Sequence, residues 1–287
     1  MLLEQTVKAG AMKQRIISII DYGRGETERI AESLAEKLRG AGFIPVRDNI
    51  DGAELIVVIG GDGSFLRTLQ RFDFPDLPYV GVNTGHLGFF QELSEDDLDE
   101  FLEKYQCGAF RRQSCRTVAG EVEYAEGKRT LRGLNEFAIK AADSRLAHFD
   151  IYIGESLVSK FHGDGVVIST PAGSTAYNYA LGGSIVDPRL DLLQLTPIAP
   201  VNTTAYRSFT SGIVLPPGLP IQVFPDPDSA DDNMDEGRET LVTFDGNGMC
   251  FSGVRRIEVG LSEQSVTLLR FKDYEFWNTV KQKLLTP

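Results

Sequence analysis

An aspartate held among glycines, with a serine behind it, is the first feature with chemical reach. Gly60, Gly61, Asp62, Gly63 and Ser64 follow the branched apolar run Leu55 to Ile59. Phe65, Leu66 and Leu69 then recur at helical spacing, so the segment reads as buried strand, glycine turn and helix. Glycines let the chain bend sharply and let a ligand approach its amides, and a helix start favours negative charge. An anion is the natural tenant. The loop has no P-loop lysine, and its glycine spacing is not the dinucleotide fingerprint. A carboxylate beside a phosphate repels it unless a cation or a proton lies between them. That points Asp62 to metal binding or general-base work, against the alternative of a plain helix cap.

A second set of polar residues interrupts apolar strands further on. In "LNEF", Asn135 and Glu136 occupy a strand that should be apolar on at least one face. In "FHGDGVVISTPAGSTAYNYALGG", Asp164 stands between two glycines, and "STPAGSTAY" brings hydroxyls and a tyrosine onto a tight turn leading toward a helix. Tyr177 offers a ring on which a base can stack, and the amides of Ser174, Thr175 and Ala176 can read a base edge. A turn rich in serine and threonine is also what an ordinary connection looks like. Two polar departures together with Asp164 favour a site.

The elements that must position these residues change character near residue 110. Before it, strands and helices alternate. Ile16 to Ile20 is a strand, Ile30, Ala31, Leu34, Ala35 and Leu38 form one helix face, and Tyr79 to Val82 is another strand. A further helix starts at Ser94, where "SEDD" supplies an N-cap and first-turn acids. This order predicts an α/β domain with a parallel sheet over residues 12–112. Residues 113–272 break into short alternating strands such as "FDIYIG", "GVVIST", "IQVFP" and "RIEVGL", which predicts a β-rich second domain. The C-terminal 273–287 return to helical spacing and are expected to pack back on the first domain. Residues 1–11 read as an unstructured leader, and "PDPDSADDNMDEGRE", from Pro225 to Glu239, as a solvated acidic loop.

Composition bounds the partners. The chain of 287 residues carries a net charge of −12, which argues against a nucleic-acid surface and an anionic membrane. It says little against a small phosphate ligand, because charges beyond about 10 Å are screened at physiological salt. Cys107, Cys115 and Cys250 show no metal-ligand spacing and fit structural thiols in a reducing compartment. No apolar stretch reaches membrane-spanning length, so a cytoplasmic protein is expected.

Taken in order, "GGDGS", "NTGHLGFF", "LNEF", "GDGVVISTPAGSTAYNYALGG" and "FDG" resemble the NAD kinase family from about residue 13 to the end. "GGDG" is shared with other kinases, whereas "GDGVVISTPAGSTAY" is specific. The resemblance implies transfer of a terminal phosphoryl group from ATP, or polyphosphate, to the 2′-hydroxyl of the NAD adenosine ribose. It also implies magnesium or another divalent cation as cofactor, and a homodimer or homotetramer. Asp62 then matches the presumed general base, and Gly60, Gly61, Gly63 and Ser64 the donor-phosphate loop, with Gly63 also near NAD. Phe89, Asn135, Glu136, His162, Asp164, Thr175, Ala176, Tyr177, Ala199, Val201 and Asp245 match positions around NAD. Three positions depart: His162 where arginine is common, Ala172 where threonine is usual, and Ala180 where serine often occurs. A non-catalytic NAD- or NADP-binding regulator, and a kinase using the same loop on another hydroxyl, are the alternatives.

Overall fold

The computed structural model describes residues 15–23, 25–85, 88–143, 145–225, 239–272 and 275–286. The leader and most of the acidic loop lie outside them. The chain divides into two compact units: residues up to Phe65 with Leu77–Arg111 and Leu269–Lys272 in one, and Leu66–Asp76, Arg112–Leu268 and the C-terminal residues in the other.

The first unit is built from β1 (Ile16–Asp21), α1 (Glu26–Gly40), β2 (Ile44–Arg47), β3 (Ala53–Ile59), the start of α2 (Asp62–Arg71), β4 (Pro78–Val82), β5 (Gln91–Leu93) and α3 (Leu98–Cys107). Its strands run in the order β2-β1-β3-β4-β5, every pair parallel. Leu55, Val57 and Ile59 of β3 share a core with Ile30, Leu34 and Leu38 of α1 and Phe101 of α3, while Ile56 and Val58 are equally buried on the other face. Burial on both faces is why β3 reads as an unbroken apolar run. The "SEDD" signal is a short 3₁₀ turn, Glu95–Asp97, ahead of α3, and its box closes through Asp97 Oδ2, which accepts from Ser94 N at 2.7 Å and Ser94 Oγ at 2.6 Å.

The second unit contains β6 (Arg111–Tyr124), β7 (Gly127–Gly133), β8 (Glu136–Ala141), β9 (Ala147–Ile153), β10 (Ser156–Gly163), β11 (Gly165–Ser169), α4 (Tyr177–Ala180), β12 (Leu193–Ile198), β13 (Ile213–Leu215), β14 (Ile221–Pro225), β15 (Glu239–Phe244), β16 (Asn247–Ser252), most of β17 (Arg256–Arg270) and α5 (Phe276–Val280). One sheet is antiparallel in the order β13-β12-β11-β8-β15-β16. A second layer runs β10-β9-β14-β17, and both line one core that includes Phe137, Phe149, Phe161, Val166, Ile168, Leu195, Ile221 and Ile257. Alternation then sends Ala138 and Val167 to the opposite face, where Tyr177 and Leu181 pack on them and on Ile198.

The C-terminal helix corrects its expectation. Its described part, α5 and the π-type turn Lys281–Leu285, groups with the second unit rather than the first. There Trp277 Nε1 donates to Asp187 Oδ2 at 3.1 Å, a specific polar partner that helical periodicity alone does not reveal. Among the described residues no helix is long and apolar enough to cross a membrane.

Candidate active site

The glycine loop forms as its sequence predicts. Gly60 takes φ +138°, a conformation that L side chains rarely adopt, and a Cβ there would also lie 2.5 Å from Ser64 Oγ. Its N–H donates to Val82 O at 2.9 Å, tying the strand end to β4. The amides of Ser64 and Phe65 turn back onto Gly61 O at 2.9 and 3.1 Å, opening α2. A Cβ built on Gly61 or Gly63 would meet nothing within 4 Å, so open space faces both residues at the positive end of the helix.

Asp62 is half-buried at the first position of α2. Its carboxylate reaches another turn of the same unit, 27 and 28 residues on. Oδ1 accepts the N–H of Phe89 at 2.9 Å and of Phe90 at 3.1 Å, and Oδ2 accepts that of Phe89 at a longer 3.2 Å. Gly88 makes room for this, because a Cβ there would lie 2.6 Å from Asp62 Oδ1 and 1.8 Å from Gln91 Oε1. Phe89 therefore enters the site through its backbone.

The second unit gathers another group at the start of β8. Asp245, buried at φ +47°, accepts Leu134 N on Oδ2 and Asn135 N on Oδ1, each at 2.7 Å, with Gln70 Nε2 at 3.3 Å from Oδ2. Thr170 Oγ1 donates to Leu134 O at 2.6 Å, and Gly173 packs so tightly on Asn135 that a Cβ would lie 2.1 Å from its carbonyl oxygen. Glu136 is buried beside this brace, and its carboxyl accepts the Tyr177 amide. Burial, and secondarily the charge of Asp245, push the Glu136 carboxyl up to about 8. Burial raises Asp245 as well, against the pull of its amides. Of the pair, the proton belongs on Glu136, because both Asp245 oxygens are committed to N–H donors. Glu136 Oε2 and the adjacent Asn135 Oδ1 are buried without a hydrogen-bond partner.

Sequence-assigned residues do not all converge in this unit. Glu136 pairs with Ser169 at one end of β11, whereas Gly165, just after Asp164, pairs with Ile198 at the other. Four residue steps of strand separate those ends by about 13 Å. At the far end, Asp164 is exposed and its N–H donates to Ile198 O at 3.0 Å, Ala199 takes φ +43°, and Val201 N donates to His162 O at 2.8 Å. The His162 ring stacks on Tyr206 at 3.9 Å and lies edge-on to His148 at 4.6 Å. Partial burial and then His148 lower the pKa of His162, so it does not carry the fixed charge an arginine would.

The base-reading role given to the hydroxyl turn needs correction. Ser174 N donates to Pro171 O and Ala176 N to Gly173 O, so two of the three proposed amides are consumed by the turn itself. Ser174 is fully buried, its hydroxyl bridging the Val186 backbone. Thr175 and Tyr177 are half-buried, and the Tyr177 ring packs on the sheet. Sequence reasoning also missed Gln70, Thr170, Gly173, Glu92 and Arg270. The last had a visible signal: a lone cation in the apolar run "TLLRF".

The chain thus pairs a parallel α/β unit with an aspartate in its glycine loop and a β-rich unit with a buried carboxyl corner. Residues 44–110 match the ATP-NAD kinase N-terminal domain and residues 134–270 the ATP-NAD kinase C-terminal domain. The NAD kinase of Finegoldia magna is 33% identical over 94% of this chain and 98% of its own length. NAD kinase 1 of Oceanobacillus iheyensis is 30% identical over 93% and 97%. Among solved structures, a yeast NADH kinase complexed with NADH shares the fold at a TM-score of 0.81, with 16% identity over 96% of this chain and 91% of that one. An Archaeoglobus fulgidus NAD kinase in complex with ATP gives 0.73, with 23% identity over 93% and 98%. The chain belongs to the NAD kinase family.

Proposed function

We propose that this NAD kinase transfers the terminal phosphoryl group of ATP to the 2′-hydroxyl of the NAD adenosine ribose, giving NADP and ADP, with Asp62 as general base. The observation that carries this is the Asp62 carboxylate, oriented by two backbone amides at the mouth of an open glycine turn. A ribose hydroxyl is a poor nucleophile at neutral pH, and positioned proton removal contributes roughly 10²- to 10⁴-fold. The proton passes from the 2′-oxygen to Oδ2, the oxygen with the longer amide bond. The 2′-oxygen's bond to phosphorus forms as the bond from phosphorus to the ADP leaving oxygen breaks. The amides of Gly61 to Gly63 hold the donor phosphates.

Recognition of the nucleotide falls to the second unit. Glu136, neutral near pH 7, offers a proton on Oε2, and Asn135 offers an acceptor on Oδ1. Each suits a polar group of the nucleotide, and filling it removes a desolvation cost of about 1 to 3 kcal/mol. Phe89, His162, Asp164, Thr175, Tyr177, Ala199 and Val201 remain assigned to the nucleotide.

Among the described residues no three His, Cys, Asp or Glu side chains gather into a metal cluster. Asp62 is the single carboxylate within Gly60–Ser64. That donor set fits a magnesium ion held largely by phosphate oxygens and water. A divalent cation so carried would supply neutralisation of charge on the donor. We place the enzyme in the cytoplasm as a homodimer or homotetramer.

The test is incubation of pure protein with NAD, ATP and magnesium, with NADP read by an NADP-specific dehydrogenase. NADP and ADP appearing in equal amounts support the proposal, and their absence overturns it. Parallel reactions with polyphosphate or NADH fix the donor and acceptor.

A further inference from the structure

The turn that holds Asp62 is itself held from behind, within the first unit. Leu269 and Phe271 at the end of β17 both enter the apolar core, so strand alternation sends Arg270 the other way. Its guanidinium is 4% exposed and lies 3.9 Å from Glu92 Oε2, which is 6% exposed. Glu92 Oε1 in turn accepts the N–H groups of Phe271 and Lys272, pinning the acid to the residues that follow the arginine. Arg270 Nη2 donates to the Phe89 carbonyl at 3.0 Å.

That carbonyl shares a peptide plane with the Phe90 N–H. In a trans peptide the two point in opposite directions. Holding the Phe89 oxygen toward Arg270 therefore holds the Phe90 N–H toward Asp62 Oδ1, where it is found at 3.1 Å. A flip of this one peptide would take the N–H away and turn a carbonyl oxygen toward the carboxylate. Stability alone gives little reason for the arrangement, because replacing a buried ion pair by apolar residues of similar volume is often neutral or stabilising.

We infer that Arg270 is a positioning residue for phosphoryl transfer: it locks the Phe89–Phe90 peptide in the orientation that aims Asp62 at the acceptor hydroxyl. This rests on the reading of Asp62 as general base. Arg270 is buried and acts through the Phe89 carbonyl, so its loss lowers turnover and leaves NAD affinity in place. An acid displaced by about 1 Å can cost on the order of 10²-fold in rate.

The experiment is a double-mutant cycle on the full chain, with Arg270→Met, Asp62→Asn and both together. Turnover, KM for NAD, NAD affinity by calorimetry and the thermal transition are measured for each, with Arg270→Lys as the milder variant should Arg270→Met not fold. The expected result for Arg270→Met is a fall in kcat of about 10- to 100-fold with NAD affinity within about threefold, and for Arg270→Lys a smaller fall. In the Asp62→Asn background the same substitution should cost less than about twofold, because the group it positions is already disabled. Millimolar guanidinium should partly restore Arg270→Ala but not Asp62→Asn. Unchanged kcat in a folded Arg270 variant, or equal losses in both backgrounds, overturns the inference. Failure of the general-base reading looks different: Asp62→Asn alone then keeps its turnover.

Discussion

Asp62 in the first unit and Asp245 in the second are held by the same device, a carboxylate accepting two consecutive backbone amides. Asp245 is 7% exposed, with one 2.7 Å bond on each oxygen. Asp62 is half-buried, with its shorter bonds on Oδ1 and a longer 3.2 Å bond on Oδ2. In the deeper case both oxygens are committed, and the acid braces the chain that carries Asn135 and Glu136. In the shallower case the amides orient a group that is only half-buried. The proposed general base thus differs from the brace in burial and in the sharing of its amides, not in residue type.

The largest effect should come from removing the brace. Asp245→Ala leaves the buried amides of Leu134 and Asn135 without acceptors, at about 1 to 3 kcal/mol each, partly offset by relief of the charge near Glu136. Urea unfolding should show a loss of several kcal/mol, and a loss below 1 kcal/mol would remove the structural half of the comparison.

Glu136→Gln sharpens it through pH. The folded protein keeps the Glu136 proton up to about pH 8, whereas the unfolded chain releases it near 4.5. Between those values the unfolded state binds fewer protons, so wild-type stability is greatest below about 4.5 and falls as the pH rises toward 8. Glutamine mimics the neutral acid and abolishes that slope. The variant should equal wild type near pH 4 and exceed it by a few kcal/mol above pH 8, from about 1.4 kcal/mol per pKa unit. Parallel stability curves for the two proteins would show that Glu136 is ionised in the fold.

The intruding methyl of Gly88→Ala meets Asp62 Oδ1 and the Gln91 amide. Turnover should drop by about 10- to 100-fold in steady-state assays with the second unit's NAD affinity unaffected, by the same sensitivity to displacement. Tyr177→Ala gives the smallest change. If a base stacks on the exposed part of the ring, NAD binding by calorimetry weakens by about 1 to 3 kcal/mol. Because the ring also packs on Ala138, Val167 and Ile198, the thermal transition must be read alongside.

How much of this was legible in the sequence follows from where each interaction is encoded. The Gly60 turn and the burial of β3 are local, fixed by glycine and by the five apolar residues Leu55 to Ile59 in a row, and the chain order shows both. The partners of Asp62 are not local: a carboxylate finds amides 27 residues away only once β3, β4 and β5 lie side by side. β12 escaped notice because Pro197 sits inside "LQLTPI". The strand tolerates it because β13 pairs only with Leu193 to Leu195, leaving the proline beyond that partner's end. "STPAGSTAY" packs against Asn135, but its amides close the turn, and the buried, unpartnered atoms, Asn135 Oδ1 and Glu136 Oε2, come from the start of the neighbouring strand. Arg270 lay 181 residues from the carbonyl it holds, a distance no periodicity spans.

The measurement that bears most directly on Asp62 is a pair of steady-state curves, turnover against NAD and against magnesium, for wild type and Asp62→Asn. The amide matches the acid in size and keeps one accepting oxygen for the Phe89 and Phe90 N–H groups, so the turn should fold, but it cannot take a proton at neutral pH. The account predicts a turnover lower by on the order of 10²-fold or more at every magnesium concentration, with NAD affinity changed far less. Recovery at high magnesium would make Asp62 a metal ligand, and near-normal turnover throughout would contradict the general-base assignment and leave the aspartate as a second structural brace.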